Sequence, residues 1–401
     1  MGKRLRAASS DLNGAARSSS VGVCNVEDKV EIGVKASRAR WKIRRHYRTA
    51  ARYNCRMIAF YTQASRLLDL PGRVFLPLPW TAILACAGVA LDQLLGEPRH
   101  AHPLIGFGRY ANRLEQILNR DRLACVATTS SWRAFGLRLA GLSAWMLAVI
   151  PWVALAVLTI QRLPFAAACI LHMLLLWFAL GARSLRDHLH PIAQALAQGD
   201  LSQARALTAR IVTRDTRDAD ETALARAAVE SALENGNDAI FATLFWFVLA
   251  GGPGALAFRL LNTLDAMWGY RTPRLLYFGW AAARLDDLAN WLPARLTAAS
   301  YALCGNRRRA LWCWRTQAPA WDSPNAGPVM ASGAGSLELQ LGGTARYHGI
   351  DEARPQLGAG SPPVAADILR ALRLLRHSLT IWLGALLSSA ILALAWSAAH
   401  A

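Results

Sequence analysis

Long apolar segments alternate with polar stretches along most of this chain. Five of them approach the roughly 20 apolar residues that a membrane-spanning helix needs, at about residues 74–91, 139–160, 165–182, 239–261 and 379–398. Gln161-Arg162-Leu163-Pro164 joins the second to the third and predicts a tight hairpin, whereas Gly251-Gly252-Pro253-Gly254 interrupts the fourth. A broken helix is tolerated at membrane depth only where protein or water satisfies its backbone. The pattern predicts a mainly α, polytopic integral membrane protein with four or five transmembrane or re-entrant helices and polar helical loops.

Positive charge is concentrated near the amino terminus. The chain of 401 residues is 54% hydrophobic, yet its formal net charge is +19, and residues 1–73 hold 16 Lys and Arg against 5 Asp and Glu. These residues lack the apolar core and cleavage site of a secretory signal. We therefore expect a basic, disordered extension, 1–73, followed by a membrane-embedded domain, 74–401. A basic arm for nucleic acid or anionic lipid, or translation that begins at Met57, are the alternatives.

Arginine placement predicts the topology, because Lys and Arg accumulate in the cytoplasmic loops of membrane proteins. Loops 93–138 and 183–238 each contain seven Arg, so both are expected on the cytoplasmic side. The segment 262–378 is also rich in Arg, and the sequence leaves its side of the membrane open.

Seven single Cys form no C-x-x-C pair, so neither a disulfide framework nor a zinc site is expected. We expect a multi-pass protein of the cell inner membrane.

Acidic and amide residues recur at helical spacing within residues 214–295, beside apolar segments where ionised groups are costly. Asp218 and Glu221 predict the capped start of a helix over about 219–235. Four charged residues follow at four-residue intervals and share one face of it: Arg226, Glu230, Glu234 and Asp238. This face is either a salt-bridged surface ridge or a magnesium and phosphate site, since Mg²⁺ prefers carboxylate and phosphate oxygens. Its three acids are the predicted Mg²⁺ ligands.

Other polar residues extend this candidate site. Asn262 and Asp265 stand one helical turn apart, and so do Asp286 and Asn290, with Asp287 beside them. The small, glycine-rich segment 323–343 is suited to close backbone approach to an anion. After the first apolar segment come three more candidates in a proline-stiffened loop: Asp92, Glu97 and His102. No P-loop, G-x-S-x-G, H-E-x-x-H or dinucleotide motif occurs, so a conventional Walker ATPase is not expected.

Six segments together resemble one protein family. They read LDQLLGEPRHAHPLIGFGR, IVTRDTRDADE, AVESALENGNDAIFATLF, GGPGALAFRLLNTLDAMWGYR, FGWAAARLDDLANWLPARL and DSPNAGPVMASGAGSL. In this order, over about residues 80–395, they look like the CobD/CbiB family of adenosylcobinamide-phosphate synthases, integral membrane enzymes of cobalamin biosynthesis. Many family members have a histidine before the Ser-Pro-Asn-Ala-Gly run, where this chain reads Ala320-Trp321-Asp322. A role for that histidine is therefore not transferred.

The resemblance implies an amide-forming ligase. The free propionate of adenosylcobyric acid would be joined to (R)-1-amino-2-propanol phosphate, or to the free amino alcohol, with ATP consumed and Mg²⁺ as metal. It also implies membrane lipid and other membrane enzymes of late corrinoid assembly as partners, and no nucleic acid.

Such chemistry needs an activated carboxylate, arginines for phosphates and a base for the attacking ammonium. The catalytic candidates are Asp286, Asp287, Asn290, Glu230 and Glu234. The candidates for binding substrate or phosphate are Arg214, Asp215, Asn235, Asp238, Asn262, Asp265, Arg271, Arg284, Arg295, Ser323, Asn325, Asp92, Glu97 and His102.

Two other classes of function remain open. The same superfamily is similar to inner-membrane regulatory proteins linked to β-lactamase induction, although the intact LDDLANW and SPNAG motifs weigh against a non-catalytic relative. The broken segment at 239–261 is also typical of transporters, but no inverted repeat is visible.

Overall fold

The computed structural model describes residues 74–97, 103–119, 130–347 and 349–400, all in the unit Pro71–Ala401. The expectations for the extension 1–73 and for His102 fall outside these ranges. Twelve α-helices form in the described part: α1 (Leu78–Leu95), α2 (Pro103–Leu118), α3 (Ser131–Arg162), α4 (Phe165–Ala179), α5 (Ala182–Ala197), α6 (Leu201–Thr208), α7 (Glu221–Gly236), α8 (Thr243–Trp268), α9 (Trp280–Cys304), α10 (Arg307–Gln317), α11 (Ala326–Leu337) and α12 (Ala365–Ala399).

Five helical stretches are long and apolar enough to cross a membrane: Leu78–Leu95, Ser131–Arg162, Phe165–Ala197, Glu221–Trp268 and Ala365–Ala399. Each overlaps one of the five predicted apolar segments, which confirms the predicted fold class. Large apolar side chains on α3 and α12, such as Leu155 and Leu392, remain exposed in the protein alone. Such extensive exposed apolar surface is typical of helices that face lipid.

The predicted interruption of the fourth segment is present in α8. Ala250 and Gly251 have non-helical backbone angles, and φ at Gly251 is +61°. His172 of α4, which is fully buried, accepts a hydrogen bond at Nδ1 from the Gly252 backbone N–H at 2.8 Å. A Cβ on Gly251 would lie 2.6 Å from the His172 ring, so both the backbone angle and the available space require glycine there. The protein itself therefore satisfies the broken backbone.

The helix that carries the candidate acids begins at Glu221, two residues later than the sequence predicts. Asp220, and not Asp218, caps α7, because its side chain accepts a hydrogen bond from the Ala223 N–H at 2.7 Å. Asp218 is exposed and pairs with Arg346 instead. At its other end α7 runs directly into a six-residue π-helix, Asn237–Ala242, which leads into α8. The wider turn changes the angular spacing of the side chains that follow Asn237.

The glycine-rich segment 323–343 forms a buried helix rather than an open anion-binding loop. Every residue of α11 is buried, and its glycines allow close helix packing, since a Cβ on Gly333 would lie 2.6 Å from the Leu233 side chain. Two short antiparallel pairs follow α11. These pairs join β1 (Gln340–Gly342) to β4 (Gln356–Gly358) and β2 (Ala345–Tyr347) to β3 (Ile350–Glu352).

Candidate functional site

Six acidic side chains converge on one cavity of about 420 Å³, which we name the acid cavity. They come from α7 and the π-helix, the end of α8, the start of α9 and the segment before α11: Glu234, Asp238, Asp265, Asp286, Asp287 and Asp322. Arg271 and Arg284 are the arginines in its lining. Six carboxylates against two guanidinium groups give the acid cavity a surplus of negative charge, which favours a cationic ligand.

A chain of amide hydrogen bonds fixes the floor of the acid cavity. Asn237 Nδ2 of the π-helix donates to Asp238 Oδ1 and to Asn290 Oδ1, each at 2.9 Å. The buried hydroxyl of Thr297 donates to Asn237 Oδ1 at 2.9 Å. Asn290 Nδ2 in turn donates to Asp286 Oδ2 at 3.0 Å. The π-helix and α9 are therefore linked through buried, mutually satisfied amides, which hold the carboxylates in place.

Asp286 is the central acid of this arrangement. It accepts hydrogen bonds from Asn290 and, at 3.3 Å, from Asn262 Nδ2 of α8. Burial raises the pKa of Asp286 well above its usual range, and the neighbouring carboxylates of Asp238 and Asp265 raise it further, against the two amide hydrogen bonds. A carboxylate with a raised pKa is a stronger base than an ordinary aspartate.

Asp287 differs from its neighbour in its contacts. Its carboxylate pairs with Arg284 at 3.5 Å. Burial raises the pKa of Asp287, and the guanidinium groups of Arg284 and Arg271 oppose this effect. Its backbone carbonyl accepts a hydrogen bond from Asn325 Nδ2 at 2.8 Å, which ties α9 to the start of α11.

A second cavity of about 480 Å³ adjoins the first, and we name it the arginine cavity. Arg214 and Arg354 both bind the buried carboxylate of Glu230. Arg214 donates to Oε2 at 2.5 Å, and Arg354 donates to Oε2 at 3.1 Å and to Oε1 at 3.3 Å. The backbone N–H of Gly342 donates to Oε1 at 2.7 Å. Glu230 uses only some of the donors of the two guanidinium groups, and the others can bind an anionic group. Glu234, Asp322 and Glu352 also line this cavity, so its positive charge is confined to the arginine pair.

The two cavities share part of their lining. Glu234 and Asp322 are the two acidic side chains common to both. Trp321 lines the arginine cavity, and the Arg354 guanidinium lies 5.5 Å from the centre of its ring. Both cavities contain guanidinium groups and carboxylates, so a ligand with an anionic and a cationic end can extend from one into the other.

The predicted metal-ligand set of Glu230, Glu234 and Asp238 does not form. Both oxygens of Glu230 are taken by Arg214, Arg354 and Gly342, so this carboxylate positions arginines. Across the described ranges, no group of three His, Cys, Asp or Glu side chains is gathered closely enough to hold a metal ion.

Asp92 and Glu97, which follow the first apolar segment, do not line the acid or the arginine cavity. Glu97 accepts hydrogen bonds from Ser184 and from Arg259 of α8, at 3.1 and 3.2 Å, and the guanidinium of Arg259 lies near Asp238. Asp92 is buried and accepts from the Arg183 backbone N–H at 3.0 Å, so it fixes the start of α5 outside the acid cavity. His102 lies outside the described residues.

The other candidates lie at several different places in the fold. Ser323 lines the acid cavity, and its Oγ accepts hydrogen bonds from the backbone N–H groups of Asn325 and Ala326 at the start of α11. Arg295 donates to Asn325 Oδ1 at 2.7 Å and to the Pro324 carbonyl at 2.9 Å, which engages the guanidinium predicted to bind phosphate. Asn235 lines the arginine cavity. Asp215 lies in a separate surface pocket, where it accepts from the Gly349 N–H.

Three important residues are absent from the sequence-based candidates: Asn237, Asp322 and Arg354. Asn237 stands three residues after Glu234 and seven after Glu230, so helical spacing already places it on the acidic face and could have identified it. Arg354 lies in an irregular Pro- and Gly-containing segment, and no local pattern distinguishes it from other arginines.

The chain matches a family model described as "CobD/Cbib protein" over residues 85–375, a range that includes every residue lining the two cavities. A relative named "Cobalamin biosynthesis protein CobD" from Stutzerimonas stutzeri is 56% identical over 297 residues, 74% of this chain and 94% of the relative. Relatives of the same name are 50% identical in Chromobacterium violaceum (78% of this chain, 97% of the relative) and 39% identical in Mycobacterium tuberculosis (74% and 91%).

No solved structure significantly matches this chain. The family model covers well over half of the sequence, and the two relatives with the highest identities quoted are aligned over nearly their whole length. The chain therefore belongs to the CobD/CbiB family.

Proposed function

We propose that this protein is an ATP-dependent amide-forming ligase of cobalamin biosynthesis, resident in the cell inner membrane. It joins the free propionate of adenosylcobyric acid to (R)-1-amino-2-propanol phosphate, or to the free amino alcohol, and yields adenosylcobinamide phosphate or cobinamide. Family membership and the names of the relatives support the pathway. The observation that carries the reaction type is an acid cavity that adjoins an arginine pair, because the amine substrate is cationic and the other reactants are anionic.

The proton of the amine defines the role of Asp286. An alkylammonium group must lose a proton before its nitrogen can attack an activated carboxyl group. Asp286 lines the acid cavity and has a pKa raised by burial and by neighbouring carboxylates, so it is the base that this reaction requires. Asn262 and Asn290 orient its two oxygens.

The arginines divide into two groups. Arg271 and Arg284 lie at the acid cavity, where they can bind phosphate oxygens close to the acids. Arg214 and Arg354 are held by Glu230 beside the arginine cavity, where they can bind a second anionic group. In the phosphorylated amine, a phosphate and an ammonium group lie within one small molecule, so an arginine pair would bind the phosphate while the carboxylates bind the ammonium group.

The acid cavity also fits a magnesium ion carried by a nucleotide. Mg²⁺ commonly takes one or two carboxylates, with phosphate oxygens and water completing its shell. Asp238 and Asp265 both line the cavity and would hold it, leaving Asp286 for the amine. When bound, the ion would neutralise phosphate charge so that the propionate can be activated, most simply as an acyl phosphate.

The purified full chain tests this proposal directly. With adenosylcobyric acid, either amine and Mg-ATP, we expect a product whose mass equals the sum of corrinoid and amine less water, together with hydrolysed ATP. Arg354→Gln should raise the KM of an anionic substrate, whereas Arg346→Gln, at an exposed ion pair outside both cavities, should leave it unchanged. No amide product from either amine with correctly inserted wild-type protein would refute the proposal.

A further inference from the structure

A third cavity of about 430 Å³ lies away from the acid and arginine cavities, between α5 and α12 near the end of α1. We name it the boundary cavity. Most of its lining is apolar and includes Leu185, Leu372, Leu379 and Leu383. Neither of the functions assigned to the other two cavities uses these residues.

The boundary cavity carries positive charge only. Arg186, Arg373 and Arg376 line it together with His190, and no Asp or Glu is among its lining residues. Arg186 pairs at the rim with Asp187 at 3.5 Å. Arg373 and Arg376 are one helical turn apart on α12 and exposed, and neither makes an ion pair within the described part of the chain.

The boundary cavity lies where the charged part of α12 changes to its uncharged, apolar part. Arg376 and His377 are the last charged or titratable residues of α12, and Ser378–Ala399 contains no Asp, Glu, Lys or Arg. The cavity lining extends from Leu369 to Leu383 and so crosses this boundary. Along α12, the guanidinium groups of Arg373 and Arg376 precede the start of the uncharged segment at Ser378, and Leu379 and Leu383 lie within that segment.

We propose that the boundary cavity binds an anionic phospholipid of the surrounding bilayer. The phosphodiester accepts hydrogen bonds from Arg373 and Arg376, since guanidinium groups bind phosphate oxygens in a fork geometry. The first methylene groups of an acyl chain pack against Leu379 and Leu383. Basic pockets between transmembrane helices suit anionic headgroups in this way, and the apolar half of the lining favours a lipid over a free phosphate.

The bound lipid would contact an element of the candidate site. Ile240 lines the boundary cavity, while Asp238, two residues earlier in the same π-helix, lines the acid cavity. Occupancy would therefore brace the π-helix from the side opposite to its carboxylate.

Native mass spectrometry of the full chain, purified in detergent, tests this inference by measuring which added lipids remain bound to the protein. We expect dioleoylphosphatidylglycerol to bind and dioleoylphosphatidylcholine to bind far more weakly. The double variant Arg373→Gln/Arg376→Gln should bind the anionic lipid about thirtyfold more weakly, from two lost arginine contacts. Arg373→Lys/Arg376→Lys, which keeps both charges but loses the guanidinium fork, should bind with an affinity between those of the wild type and the Gln variant.

The matched control is Arg307→Gln/Arg308→Gln, which removes two exposed arginines outside the boundary cavity and should bind as the wild type does. Equal weakening in the control would show that net charge alone attracts the lipid and would overturn the site. Displacement of the lipid by inorganic phosphate would identify a free anion as the ligand and would also overturn it. Unchanged binding by Arg373→Gln/Arg376→Gln would do the same.

Discussion

Asn262 of α8 donates a hydrogen bond to Asp286 of α9 across 3.3 Å, and this contact joins two helices that the sequence separates by an irregular turn. The bond turns one Asp286 oxygen toward α8 while Asn290 holds the other. The orientation of the proposed base is therefore set by two helices at once. Substitutions at Asn262 or Asn290 should both change the rate of amide formation.

Asp286→Asn should abolish most activity without loss of the protein. The substitution keeps the shape of the side chain but removes the base, so we expect amide formation to slow by about a hundredfold or more. Product formation by purified protein and membrane abundance measure the two effects separately. Asp351→Asn, at an exposed carboxylate outside the acid cavity, is the control and should retain activity. A near-normal rate for Asp286→Asn would place the base elsewhere.

The same substitution should change how stability depends on pH. The pKa of Asp286 is raised in the folded state, so the folded protein binds this proton more tightly than the unfolded chain does. Wild-type stability should therefore fall as pH rises from the ordinary aspartate pKa toward the raised one. We expect the Tm of Asp286→Asn to equal that of wild type at acidic pH and to exceed it increasingly toward neutral pH. A constant Tm difference across this range would contradict the assignment.

Glu230→Gln should destabilise the fold and weaken anion binding. Removing one partner of a buried ion pair typically costs about 3 to 5 kcal/mol, because the remaining charge is left uncompensated, and here two guanidinium groups would face each other. Thermal unfolding measures this loss. The double variant Glu230→Gln/Arg214→Gln should recover part of it. If Glu230 were instead a metal ligand, Glu230→Gln would change Mg²⁺ dependence with little effect on Tm.

Gly251→Ala should disrupt the kink in α8. The added methyl group would meet the His172 ring, and the backbone angle is one that side chains rarely adopt. We expect lower membrane abundance and a lower Tm. Gly384→Ala is the control, because a Cβ there would meet nothing within 4 Å and alanine favours a helix by about 1 kcal/mol. Normal abundance and Tm for Gly251→Ala would show that the break does not need glycine.

Local periodicity was enough to predict some of these features and not others. Runs of apolar residues predicted all five candidate spans, and the four-residue spacing of Asp286 and Asn290 predicted their contact, because both depend on neighbours within one helix. The π-helix was not predictable, since one added residue in a turn leaves no trace in hydrophobic spacing. It begins at Asn237, and Glu234 and Asp238 still line the same cavity.

Long-range pairing limited the rest of the site prediction. Arg354 meets Glu230 across 124 positions of the sequence, and no spacing rule connects an irregular segment to a distant helix. As a result Glu230 was assigned to a metal, whereas the fold uses it to hold two arginines. The glycines of α11 were likewise ambiguous, because close helix packing and anion binding both require small residues.

The pairing of Arg214 and Arg354 on one buried carboxylate has a consequence for affinity. A free arginine loses rotamer entropy when it binds a ligand, at a cost of about 0.5 to 1.5 kcal/mol for each immobilised side chain. Here both side chains are largely ordered by Glu230 before any ligand arrives. The entropy is therefore lost during folding rather than during binding, and an incoming anion meets a preorganised pair of donors.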